Sequence, residues 1–157
     1  MSDVSQQGPD LQRQGELINE ISSLVPMEIE GPWRVATWTC CALSMLAEDR
    51  LIVERPDGSI DRSQGVPLEV GDLQDDLRAV MYAPGSGTWL SATWVITDNG
   101  DESLHAEVEF NYDEEPAWSS PVRAFNYALD LEDFPRDEEA IPAWMRAKVV
   151  EAQTAPE

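Results

Sequence analysis

Histidine and cysteine are scarce in this sequence, which has one histidine and two cysteines among 157 residues. His105 falls on the polar face of a predicted strand and has no partner motif, so we expect an ordinary exposed side chain. Cys40 and Cys41 are adjacent, whereas structural zinc sites use cysteines separated by about two to four residues. Neighbours in a strand point to opposite faces, so we expect reduced thiols with one of them in the core. The sequence predicts no metal site and no cofactor.

Basic residues are also few, because 10 lysines and arginines stand against 31 acids, for a formal net charge of -21. A field of that sign repels nucleic acid and anionic membranes, so neither is a predicted partner. The same field accelerates the approach of a basic protein. The alternative is that the acidity only aids solubility.

Long apolar runs are missing as well. No stretch of about 18 apolar residues is long enough to cross a bilayer, and the first residues, MSDVSQQGPDLQRQG, lack a basic segment followed by an apolar one. These patterns predict a soluble, cytoplasmic protein.

Aliphatic and aromatic residues nevertheless make up 42% of the chain, including six tryptophans, so the chain has enough apolar surface to fold. We expect a single domain over residues 1–157, since a chain of this length supports one core. Apolar residues at helical spacing predict an N-terminal helix over about residues 9–25, ended by Pro26. Residues 33–55 predict two antiparallel strands with a break near residues 47–49.

The second half of the chain predicts a helix, a hairpin and a last helix. Asp72 is the expected N-cap of the first of these helices, and Asn99-Gly100 is a strong hairpin turn signal. Residues 114–133 contain prolines and predict irregular structure, and Pro142 suits the first turn of the last helix. The order of elements predicts an α+β fold, in which helices cover one side of an antiparallel sheet.

The second strand of that hairpin has two distinct faces. Its apolar face would carry Ala106, Val108, Phe110 and Tyr112, and its polar face His105, Glu107, Glu109, Asn111 and Asp113. Glu107 and Glu109 are a possible acid/base pair for a hydrolase, but acids that line a solvated sheet face are the favoured interpretation. No G-x-S-x-G motif surrounds any serine. We therefore predict a protein that is not an enzyme.

Several segments in fixed order resemble a known family. They are LQDDLRAVMYAPGSG, a TW strand, a D-N-G turn, EVEFNYDEEP, an L-x-x-F-P-R-D segment and I-P-A-W. Together they are similar to the YezG-like immunity proteins, with a family-like core over about residues 71–150. The resemblance implies a small cytoplasmic α+β antitoxin that binds and silences a cognate toxin encoded beside it.

A toxin that cuts nucleic acid needs a basic cleft to hold phosphates, and an acidic surface would fit that cleft as a phosphate mimic. The predicted partner-binding residues are Glu107, Glu109, Asp113, Glu114, Glu115 and Trp118, with Trp118 as an exposed aromatic anchor. The competing interpretation is that these acids are merely solvated. The alternative function is a non-catalytic binding module or a secretion chaperone for a basic effector protein.

The segment FPRDEEAIPAW, residues 134–144, has two prolines that restrict the chain and three apolar anchors. We predict that it docks the last helix onto the sheet. Arg136 is expected to pair with a nearby carboxylate or to donate to carbonyl groups.

Overall fold

The computed structural model describes residues 10–154. Five strands form one antiparallel sheet in the order β3-β2-β1-β4-β5, and helices pack against it in a single compact domain. The predicted α+β class is confirmed. The elements in chain order are α1 Leu11–Leu24, β1 Val35–Leu43, β2 Leu46–Glu54, β3 Ile60–Asp61, α2 Glu69–Met81, β4 Ser91–Asp98, β5 Leu104–Asn111, α3 Ala124–Asp133 and α4 Ala143–Thr154.

The main core lies between one face of the sheet and helices α1 and α2. Alternate residues of β1 and β4 point into it, and the rings of Trp38 and Trp94 meet there with centroids 4.9 Å apart. Leu17 and Ile21 of α1 and Leu77 of α2 pack onto this layer, and all three are fully buried. Burial of several large side chains in one layer, at about 1.5–3 kcal/mol each, drives the two helices onto the sheet.

Several predicted boundaries differ from the structure. Helix α1 ends at Leu24, one residue before a 3-10 turn, Val25–Glu28, that contains Pro26. Strand β2 begins at Leu46, so the predicted break at residues 47–49 is wrong and the turn lies at residues 44–45. Helix α2 begins at Glu69 and has Leu68 as its N-cap, not Asp72. The first residue of the predicted helix at residues 9–25, Pro9, lies outside the described residues, as do residues 1–8 and 155–157 of the predicted domain.

The expectation of irregular structure across residues 114–133 is also wrong in part. Residues 124–133 form helix α3, because both prolines of the segment, Pro116 and Pro121, lie before it. Its buried side is interrupted by a carboxylate, Asp130, which hides the apolar periodicity.

Helices α3 and α4 pack against one end of the sheet and build a second, smaller core there. Its buried residues are Leu43, Leu90, Tyr127 and Met145. Leu43 points to the side of the sheet opposite α1 and α2. Helices therefore lie on both sides of the sheet, and the prediction that they cover one side only is wrong. Within residues 10–154, no helix is of sufficient length and apolarity to span a bilayer.

A buried ion pair ties α2 to α3. The guanidinium of Arg78 donates to both carboxylate oxygens of Asp130, at 2.8 and 3.0 Å, and its Nε donates to the carbonyl of Trp89 at 2.8 Å. The backbone N–H of Ser44 donates to the same carboxylate at 2.8 Å. The charges satisfy one another, so the pair fixes the position of α3 relative to α2 and the β1–β2 turn.

The segment at residues 134–144 contacts the chain just after β5, at Tyr112 and Asp113. The side chain of Arg136 is only 2% exposed, and it donates to the carbonyls of Tyr112 and Ala140 at 2.7 and 3.1 Å and lies 3.4 Å from a carboxylate oxygen of Asp113. Trp144 Nε1 donates to the Asp113 carbonyl at 2.7 Å. The predicted pairing of Arg136 with a carboxylate and with carbonyls is confirmed, and the segment holds α4 near the end of β5.

Both cysteines are buried, on opposite faces of β1. Cys40 lies in the main core, and Cys41 lies under the loop that follows β5. The predictions of opposite faces and of one cysteine in the core are confirmed, and Cys41 is buried as well. Burial raises the pKa of both thiols, which keeps them protonated at neutral pH.

Candidate functional site

The side of the sheet away from α1 and α2 is left open over most of its area. The residues of this open face are Thr37, Thr39, Arg50, Ile52, Thr93, Val95, Glu107 and Glu109. They are half-buried or exposed, whereas the residues that alternate with them in β1 and β4 are buried in the main core. The alternation of β-branched or polar residues with core residues in β1 and β4 produces this surface, because successive strand residues point to opposite sides.

The strand register places the open face in rows. Thr39 pairs with Thr93, which pairs with Glu109, and the next row runs from Thr37 through Val95 to Glu107. Glu107 and Glu109 therefore stand side by side at the β5 border of a surface of hydroxyl and methyl groups. A shallow depression of about 590 Å³ lies there, lined by Thr93, Val95, Glu107, Val108 and Glu109.

These two carboxylates lack a strong counter-charge. Glu107 is 75% exposed, and His105 Nε2 lies 3.5 Å from its carboxylate. No arginine or lysine of residues 10–154 lies within 4 Å of Glu107 or Glu109. The negative charge at the β5 border of the open face is thus available to a partner.

Two arginines near this side of the sheet are already engaged. Arg34 pairs with Glu54, and Arg50 donates to the carbonyl of Ala117 at 2.6 Å and lies 3.8 Å from Glu48. These two positive charges therefore neutralise their own neighbours, Glu54 and Glu48, and neither pairs with Glu107 or Glu109.

The loop at residues 113–119 borders the open face at its second side. It begins beside Asn111, whose side chain donates to Ser91 Oγ and to the carbonyl of Glu114, both at 2.9 Å. It reaches β2 at Ser119, whose hydroxyl donates to Glu48 at 2.8 Å. The loop thus crosses the sheet from β5 to β2 and covers Cys41. Because the loop contains acidic residues, acids lie along two borders of the open face, β5 and this loop.

The predicted partner-binding acids fall into two groups. Glu107 and Glu109 lie on the open face, while Glu114 and Glu115 are exposed on the loop that borders it. Asp113 is 77% exposed but lies beside the guanidinium of Arg136. Four of the five acids therefore lack an arginine contact within the described residues, and Asp113 carries a partial counter-charge.

Trp118 has a different position from the one expected. Its indole N–H donates to the hydroxyl of Tyr127 at 3.0 Å, and its half-buried ring packs against the second core. Burial raises the pKa of Tyr127 to about 12, so the hydroxyl is protonated at neutral pH, and its oxygen accepts the hydrogen bond from the indole. Trp118 thus fixes the loop to α3, and the expectation of a freely exposed side chain is wrong.

Sequence reasoning missed the neutral part of this surface. Thr37, Thr39 and Thr93 alternate with core residues, which is a signal visible in the sequence, but their cross-strand neighbours depend on the register. The links from Arg50 and Glu48 to the loop join residues 67 and 71 positions apart and have no local signal.

Two arrangements considered from the sequence, a metal site and a carboxylate pair, can be compared with the described residues. In the part of the chain from residue 10 to residue 154, no group of three His, Cys, Asp or Glu side chains is placed to hold a metal ion. Glu107 and Glu109 lie on one exposed strand face and not on two sides of a cleft, where a pair of catalytic carboxylates would flank a bond.

Comparison with known proteins did not identify a family for this chain. A scan against protein-family models found no match, and a search of the curated proteins found none. The resemblance to YezG-like immunity proteins therefore depends on the segments quoted above.

Proposed function

We propose that this protein is an immunity protein, an antitoxin that binds and neutralises a basic toxin in the cytoplasm. The observation that carries the proposal is the pair of carboxylates Glu107 and Glu109. They lie beside an open sheet face and have no arginine or lysine partner among residues 10–154. The segments that resemble YezG-like proteins support the same function.

Electrostatics favours this kind of partner. The formal net charge of -21 attracts a basic protein from a distance, and charge complementarity raises association rates by about 10 to 1,000-fold. Because the toxin must be captured before it acts, a fast association rate is useful to an inhibitor. A nuclease, or another enzyme that acts on nucleotide-like substrates, fits this surface because it holds phosphates in a basic cleft.

The surface is also rigid before binding. The open face is part of a five-stranded sheet, and the bordering loop is fixed at both ends and through Trp118. A preformed surface loses little conformational entropy when it binds, which preserves affinity.

The test is co-expression with the C-terminal domain encoded by the neighbouring gene, scored by growth and by co-purification. We expect the wild-type protein to restore growth and the Glu107→Lys/Glu109→Lys variant to lose this protection. The matched control is Glu20→Lys/Asp76→Lys, which makes the same change in net charge at exposed positions of α1 and α2, across the sheet.

Three outcomes would count against the proposal. Equal protection by both variants would show that the open face is not the contact surface. Co-purification without restored growth would indicate a binding module or secretion chaperone. Absence of both growth and co-purification with the wild-type protein would contradict an antitoxin for that toxin.

A further inference from the structure

Strand β5 is an open edge of the sheet. It pairs with β4 over its full length, from Leu104 to Asn111, and no other strand among residues 10–154 pairs with it. Its eight residues contain neither proline nor glycine, and the register with β4 is continuous. Edge strands of this kind are templates for another strand unless a bulge, a proline, a covering element or like charge on the incoming strand blocks them.

The direction of the backbone hydrogen bonds at the end of β4 shows which N–H and C=O groups of β5 point away from β4. At the end of β4, the N–H of Asn99 donates to the carbonyl of Ser103 at 3.1 Å, toward β5. The N–H of Asp98 donates to the carbonyl of Arg34, next to β1, at 2.9 Å. Backbone groups alternate sides along an antiparallel strand. Odd-numbered residues of β5 therefore face β4, and the N–H and C=O groups of Leu104, Ala106 and Val108 face outward.

The side chains beside this edge have a simple pattern. Glu107 and Glu109 lie on the open face, while on the other face Leu104 is 45% exposed and Ala106 is also exposed. A strand placed along the edge would meet carboxylates on one of its faces and small apolar groups on the other.

We propose that an extended segment of the basic partner adds to β5 as a sixth strand, with lysine or arginine opposite Glu107 and Glu109 and apolar residues opposite Ala106 and Val108. This inference rests on the proposed function, and it specifies how the partner binds. The alternation follows from strand geometry, since directly opposite side chains on one face touch and opposite charges there attract.

The same pattern disfavours a second copy of this chain as the added strand. Pairing two β5 edges would bring the glutamates of one copy close to those of the other, and like charges opposite one another are destabilising. Each copy also carries a net charge of -21. The edge thus discriminates by charge between its own copies and a basic strand.

Residue-resolved amide exchange tests the inference on the wild-type protein. The probe is a capped octapeptide of alternating lysine and valine, added at low ionic strength. In the free protein, the amides of Leu104, Ala106 and Val108 should exchange fast and those of Glu107 and Glu109 slowly. With peptide, the three outward amides should slow by about tenfold or more, the change expected for one added hydrogen bond.

The matched control peptide carries N-methyl groups at alternate residues, on the edge that would pair with β5. We expect it to give no protection. Unchanged exchange of the outward amides with the unmethylated peptide, or equal protection by both peptides, would overturn the inference.

A pair of variants gives a second test. Ala106→Pro removes an outward N–H without removing a bond to β4, a position at which proline is tolerated in edge strands. Ala106→Val keeps the N–H. We expect the proline variant to bind the peptide about tenfold more weakly and the valine variant to bind like wild type. If circular dichroism shows that Ala106→Pro does not fold, the amide exchange of the wild-type protein decides whether the peptide adds to β5.

The failure of this inference is distinguishable from failure of the proposed function. If Ala106→Pro protects fully in the growth test and Glu107→Lys/Glu109→Lys does not, the partner binds the open face and the sixth strand is ruled out. If wild type gives no protection, the antitoxin proposal fails for that toxin, and the peptide result alone decides whether the edge accepts a strand.

Discussion

Replacing Asp130 by asparagine removes the carboxylate that neutralises Arg78 inside the fold. The side chains of Arg78 and Asp130 are 3% and 8% exposed. The carboxylate accepts two hydrogen bonds from Arg78, at 2.8 and 3.0 Å, and two from Ser44, at 2.8 and 3.1 Å. Asparagine has a similar shape but no charge, so the guanidinium stays buried without a counter-charge.

Loss of one partner of a buried pair costs about 3–5 kcal/mol. Domains of ordinary stability have about 5–15 kcal/mol in total, so Asp130→Asn should remove a large part of the free energy of unfolding. For a chain of this size each kcal/mol lowers Tm by about 2–4 °C, which gives a decrease of roughly 6–20 °C.

Urea unfolding followed by tryptophan fluorescence measures this change, because Trp38, Trp89 and Trp94 are fully buried. The matched control is Asp133→Asn, an exposed acid at the end of the same helix, which should change stability by less than about 0.5 kcal/mol. A loss below about 1 kcal/mol for Asp130→Asn would refute the role assigned to the pair.

Three further predictions concern the segments that hold the loop and α4. Gly87→Ala should destabilise the fold more than Gly100→Ala, because both glycines have a positive φ but only at residue 87 would the added Cβ overlap Arg136. Urea unfolding midpoints compare the two variants, and an equal decrease of the midpoint would contradict the contact. With its pKa raised to about 12 by burial, Tyr127 keeps its proton in the folded state above pH 10, where the unfolded chain loses it. The stability that Tyr127 contributes should therefore be lost as pH rises from about 10 to 12. In an absorbance titration of the tyrosines, Tyr127→Phe should remove the phenolate that forms at the highest pH, and an unchanged titration curve would disprove the prediction. Trp144→Ala should lower stability by about 3 kcal/mol and leave partner affinity unchanged once folded, whereas loss of binding at full stability would make Trp144 a direct contact.

The β5 faces were predictable from the sequence, because they depend on residue alternation alone. Glu107 and Glu109 lie on the polar face as expected, and Val108 packs toward the core. The hairpin was also predictable, since Gly100 adopts a φ of +83°, which a glycine accepts at no steric penalty.

Helix α3 and the crossing loop were not predictable, for physical reasons that differ. In α3 a buried Asp130 breaks the apolar stripe, and its partner Arg78 is 52 residues away. The loop is positioned by Arg50 and Glu48, which are equally remote in sequence.

The charge available to a partner was likewise hidden in the sequence. Glu54 and Glu107 look alike as strand acids, yet Glu54 is paired with Arg34 and Glu107 faces no arginine or lysine in the described chain. Which acids are compensated depends on strand register and loop closure, so a count of charges cannot identify them.

The association rate with the neighbouring gene's toxin domain, measured against ionic strength, tests the central claim most directly. We predict a rate that falls steeply as salt rises, and a much lower rate for Glu107→Lys/Glu109→Lys than for the control Glu20→Lys/Asp76→Lys. A rate that is independent of salt, or the same in both variants, would contradict capture of a basic toxin by this acidic surface.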